Sequence, residues 1–60
     1  MKTIKIADTN ITITVTNARE MYTMFFKLGG WYTLIVDNDT YPRDPDCVYM
    51  ESYFQKKYFN

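Results

Sequence analysis

The chain has 60 residues, no histidine, one cysteine and a net charge of zero. That length allows one domain, spanning 1–60; Cys47 as the only cysteine excludes an internal disulfide, and without histidine a structural zinc site lacks its usual ligands. A chain this small buries only about 60% of the surface it exposes when unfolded, so a tight core or self-association has to supply its stability.

Lys2-Thr3-Ile4-Lys5-Ile6 and Ile11-Thr12-Ile13-Thr14-Val15-Thr16 alternate with period two and are rich in β-branched residues, which predicts two strands. The polar stretch Ala7-Asp8-Thr9-Asn10 joins them as a turn in which Asp and Asn bond to their own backbone. In that hairpin Ile4, Ile6, Ile11, Ile13 and Val15 face one side and the threonines the other.

Asn17 with Glu20 three residues on matches a helix N-cap. Met21, Met24, Phe25 and Leu28 then recur at helical spacing, and Gly29-Gly30 predicts a left-handed stop. A helix over 18–28 follows, with Tyr22 and Phe26 off its apolar stripe.

Trp31 to Val36 predicts a third strand, apolar on both faces. Such a strand is central, with a helix on its far face, or meets a partner. Asp37-Asn38-Asp39-Thr40 predicts a turn, and Tyr41-Pro42-Arg43 an extended segment. Asp44 as cap and Pro45 in the first turn predict a second helix whose stripe is Cys47, Met50, Phe54 and Tyr58. An additional strand over 48–54 is the alternative.

The predicted fold class is therefore α+β: a hairpin, a helix and a third strand, followed by a C-terminal helix. This β-β-α-β order resembles that of β-grasp folds such as ubiquitin. The resemblance is one of element order and implies no function.

Catalysis requires an acid–base group, a nucleophile or a metal in a site that excludes water. Ser52 is the only serine, Cys47 has no histidine to activate it, and two glycines do not make a phosphate-cradling loop. The expectation is a protein that is not an enzyme and uses no cofactor or metal. The spacing after Asp37 also fails the calcium-loop pattern, because Tyr41 and Pro42 stand at its fifth and sixth positions.

Charge is unevenly spread. Residues 37–51 carry Asp37, Asp39, Asp44, Asp46 and Glu51 against Arg43, a net of −4. Those aspartates read as a solvated loop or as an acidic patch for a basic partner, with Tyr41 and Arg43 as anchors of the kind that dominate binding energy. All eleven aromatics lie from Tyr22 onward, more than so small a core can hide. Tyr22, Phe26 and Trp31 are thus an apolar alternative for partner binding.

The leading functional expectation is a small protein-binding module, a stoichiometric inhibitor or regulator of a larger, nucleic-acid-handling host protein. In style it is similar to the short chains with which bacterial viruses block host defence enzymes. A self-assembling subunit is the second reading. An unpaired sheet edge would recruit another copy into a homodimer, with Lys2 and Lys5 guarding against uncontrolled pairing. A weak single-stranded nucleic-acid binder is the third; the acidic middle disfavours it. With no long apolar run and no signal-peptide pattern, the expected location is the cytoplasm.

Overall fold

A computed structural model describes all residues, Met1–Asn60. The fold is α+β, with the elements β1 (Lys2–Ile6), β2 (Thr12–Val15), α1 (Ala18–Leu28), β3 (Leu34–Val36), β4 (Asp39–Tyr41) and α2 (Glu51–Tyr58). The strands form one sheet in the order β2-β1-β3-β4, and every pairing is antiparallel. Likeness to the β-grasp stops at the order of the first four elements.

Register explains the core. Ile4 lies opposite both Ile13 and Val36, Ile6 opposite Leu34, and Leu34 opposite Tyr41. Residues directly opposite share a face, so the apolar positions converge on one side. There Ile4, Ile6, Val15, Leu34, Val36 and Tyr41 meet Ala18, Met21 and Phe25 of α1 and Phe54 of α2 in a single buried cluster. Both helices therefore cover the same face. The other face carries exposed Thr3, Lys5, Thr12, Thr14 and Thr40 with half-buried Ile35 and has no layer over it. The far-face helix expected over the third strand is absent because α2 shares its side with α1. No helix is long and apolar enough to cross a membrane.

The hairpin and α1 stand where their patterns place them. Asn17 Oδ1 accepts from the Glu20 N–H at 2.9 Å. The Glu20 carboxylate reaches past the cap to the N–H and hydroxyl of Thr16, at 2.7 and 2.8 Å. Those donors, the backbone one first, hold its pKa below the ordinary value. In the β1–β2 turn the bonding side chain is Thr9, not Asp8 or Asn10: its hydroxyl donates to Ile6 O and accepts from Ile11 N. Asp8 takes φ 63°, which Asp tolerates better than most residues. Ile11 falls outside the strand and is 54% exposed, although its alternation assigned it to the core.

Three further expectations are corrected. The third strand is only Leu34–Val36, because Trp31 and Tyr32 both donate backbone bonds to Leu28 O at 3.0 Å and continue the turn after α1. The turn over 37–40 shrinks to Asp37-Asn38, with Asp37 at φ 55°, so Asp39–Tyr41 becomes a fourth strand. The second helix starts at Glu51, not at Pro45. Asp44 caps a single turn instead: its Oδ1 accepts from Asp46 N at 2.9 Å, and its carbonyl from Cys47 N at 3.1 Å. Short local bonds of this kind compete directly with a helix start. Cys47 is consequently a half-buried loop residue and Met50 an exposed one, so only Phe54 and Tyr58 remain of the expected stripe.

Gly29 ends α1 in right-handed conformation, φ −64°, so the left-handed stop is also corrected. Its glycine character has a different cause. A Cβ there would stand 2.6 Å from Phe25 O and 3.5 Å from Cys47 Sγ. Gly29→Ala is expected to lower stability by about 1–3 kcal/mol through that overlap. Gly30→Ala, whose nearest neighbour is Pro45 Cα at 3.4 Å, should cost less. Thermal melts of both variants check the order; equal melting temperatures would refute the steric account.

Candidate functional site

The site is built where α1 stops. The last turn of a helix leaves carbonyls without intrahelical donors. Here Asp44 N–H donates to Gly29 O at 2.8 Å and the Arg43 guanidinium reaches Gly30 O at 3.5 Å. A cation is favoured at this negative end of the helix dipole. These bonds dock the 43–47 loop onto the double glycine, and Pro45 and Cys47 pack beside it at ordinary contact distance. Between helix end and loop lies a cleft of about 450 Å³ lined by Phe26, Lys27, Gly30, Trp31, Arg43, Pro45, Asp46 and Cys47.

Two aromatic rings stand out of it. Phe26 is 74% exposed and Trp31 is 75% exposed, although the backbone of Trp31 is fixed by its bond to Leu28 O. Tyr22, half-buried, has its ring centroid 6.4 Å from that of Phe26. Lys27, Arg43 and Asp46 put two positive charges and one negative charge around the rings.

The sequence-predicted binding residues divide into two groups. Phe26, Trp31, Arg43 and Asp46 meet in the cleft, Tyr22 flanks it, and Asp44 helps to form its wall. Asp37, Asp39 and Tyr41 are held by other elements. The Asp37 carboxylate pairs with Lys2 Nζ at 3.0 Å. That of Asp39 accepts from the Tyr58 hydroxyl at 2.8 Å and lies 3.7 Å from Lys57 Nζ. The four aspartates thus form no single free acidic surface. Lys27, Pro45 and Cys47 complete the cleft and were not singled out from the sequence. Lys27 had a signal, since it stands in the last turn of the expected helix, where positive charge is favoured.

Tyr41 is the hub of a separate aromatic cluster. Its hydroxyl meets those of Tyr53 at 3.0 Å and Tyr58 at 2.6 Å. Its ring meets Phe25 edge-on at a centroid distance of 5.0 Å and Tyr49 at 5.1 Å. Burial, reinforced by the two hydroxyl bonds, pushes the Tyr41 pKa far above the ordinary tyrosine value. Burial also raises Tyr58; the bond to Tyr41 opposes this and the Asp39 carboxylate adds to it. Phenols held so firmly protonated are hydrogen-bond donors, not bases or nucleophiles. The cluster joins α2 to β4. No three or more ligating side chains come together to hold a metal.

No protein-family model, curated protein or solved structure matches the chain.

Proposed function

We propose that the protein is a non-catalytic module that binds a larger protein through the cleft at the end of α1 and thereby inhibits or regulates it. The observation that carries this reading is the exposure of Trp31 and Phe26 around a cleft that also holds Arg43. Large rings left in water on a fixed backbone gain most when a partner covers them, and Trp and Arg are the types over-represented among residues that dominate binding energy. Lys27, Arg43 and Asp46 at the rim supply register and orientation.

The lack of histidine, the single serine and the tyrosines held neutral favour binding over catalysis. A nucleic-acid-handling host enzyme of the kind that bacterial viruses block is the partner class that the chain's size and composition suggest.

The test is affinity capture from a lysate of the native host. Wild-type protein should retain one partner in stoichiometric amount. Phe26→Ala with Trp31→Ala should weaken retention by roughly a hundredfold while the melting temperature stays close to wild type. Asp37→Asn with Asp39→Asn is the counter-variant, because both positions lie outside the cleft. Loss of the partner in that variant alone would replace the cleft with the acidic segment as the binding surface.

A further inference from the structure

The two edges of the sheet differ in chemistry. Ile6 N–H donates to Ile11 O at 3.1 Å. Bonded and non-bonded residue pairs alternate along an antiparallel ladder, so Ile4–Ile13 and Lys2–Val15 are the bonded pairs of β1 and β2. Thr12 and Thr14 therefore direct their N–H and C=O groups outward, to the free edge. The next outward donor, Thr16 N–H, is already taken by Glu20. At the opposite edge, β4 turns Thr40 outward and the following outward position is Pro42, which has no N–H to give.

Edge strands are usually guarded by charge, proline, a bulge or a covering element. β4 has such a guard. β2 is uncharged, contains no proline, and pairs with β1 in unbroken register. Lys2 and Lys5 guard nothing, because β1 lies inside the sheet. Beside β2 runs a groove of about 280 Å³ toward α1, with Ile13, Val15 and Met24 in its wall and Arg19, Glu20 and Thr23 also lining it.

We infer that β2 pairs antiparallel with β2 of a second copy, joining two four-stranded sheets into one. One register uses only the free groups: Thr12 opposite Thr14 of the other copy, and Ile13 opposite its own counterpart. Each strand then supplies two donors and two acceptors, and the occupied Thr16 N–H is not needed. Val15 comes to lie opposite Ile11 of the other copy, which covers an isoleucine 54% exposed in the single chain. Val15 lines the groove. Threonine faces threonine on the open side, and no charge is brought against the uncharged strand. A second copy thus fits the edge in hydrogen bonds, in apolar pattern and in charge.

Sedimentation and amide hydrogen exchange on the full chain, from micromolar to millimolar concentration, test this. The mass should rise toward that of a dimer, and the Thr12 and Thr14 amides should gain protection with concentration. Thr16 should be protected throughout. Thr12→Lys with Thr14→Lys should weaken the dimer roughly tenfold by setting like charges opposite each other. Thr12→Lys with Thr14→Glu should preserve it, because each introduced lysine then faces an introduced glutamate. A monomer at millimolar concentration with fast-exchanging Thr12 and Thr14 amides would overturn the inference. So would a dimer indifferent to the double-lysine variant. Neither position lines the cleft, so these results are independent of the binding proposal.

Discussion

Phe54→Ala should leave the protein without a cooperative unfolding transition at room temperature. Phe54 is fully buried and is the only buried residue that α2 contributes. Its ring lies 4.7 Å from Phe25 and 5.3 Å from Tyr53, centroid to centroid. Truncating a buried Phe costs about 3–5 kcal/mol. A domain of 60 residues has roughly 3–9 kcal/mol in total at typical stability per residue. An eight-residue helix does not persist in water without packing, so α2 should detach as its anchor goes. Phe54→Leu, which keeps most of the volume, should retain a transition at lower temperature. Denaturant titration followed by circular dichroism measures both, and a wild-type midpoint for Phe54→Ala would show that α2 does not support the core.

The second large effect is alkaline unfolding. In the folded chain Tyr41 and Tyr58 are held protonated well above the ordinary tyrosine range. In the unfolded chain both ionise near pH 10. Above that pH the unfolded state binds fewer protons, so stability falls as pH rises; below it their contribution is complete. Each of the two protons adds to that slope, so the loss steepens as the pH climbs past 10. Tyr58→Phe removes one of the two groups, so its alkaline slope should be about half that of wild type, whatever it does to stability at neutral pH. Slopes from denaturant midpoints at successive pH values decide this, and identical slopes would show that Tyr58 titrates normally.

Local pattern and tertiary packing shared the work of specifying this fold, and the sequence exposes only the first. The hairpin and α1 are readable because alternation and the Asn17 cap act over a few neighbouring residues. The start of α2 is not. Asp44-Pro45-Asp46 has the chemistry of a helix cap, but whether that chemistry closes one turn or opens a helix depends on Gly29 O taking the Asp44 N–H. β4 is three residues long, too short for a period. What fixes it is Tyr41 engaging Tyr53 and Tyr58 from α2.

The candidate site divides the same way. A surplus of aromatics over core capacity pointed to Phe26 and Trp31. Which loop would face them depended on the bonds from Asp44 N–H and Arg43 to the carbonyls of Gly29 and Gly30, which no local pattern reveals. The aspartates looked like one patch only because they are near in sequence. In the fold, Lys2, Lys57 and Tyr58 claim two of them from remote parts of the chain.

The proposed binding surface holds the chain's only tryptophan, and this gives the most direct test. The protein would be labelled with fluorinated tryptophan and its fluorine NMR signal followed as concentrated native-host lysate is added. Covering Trp31 should shift and broaden that signal until the lysate partner is saturated, and Phe26→Ala should weaken the response. A signal that keeps its free position while the protein is retained in a stoichiometric complex would place the interface elsewhere and contradict the cleft as the binding site.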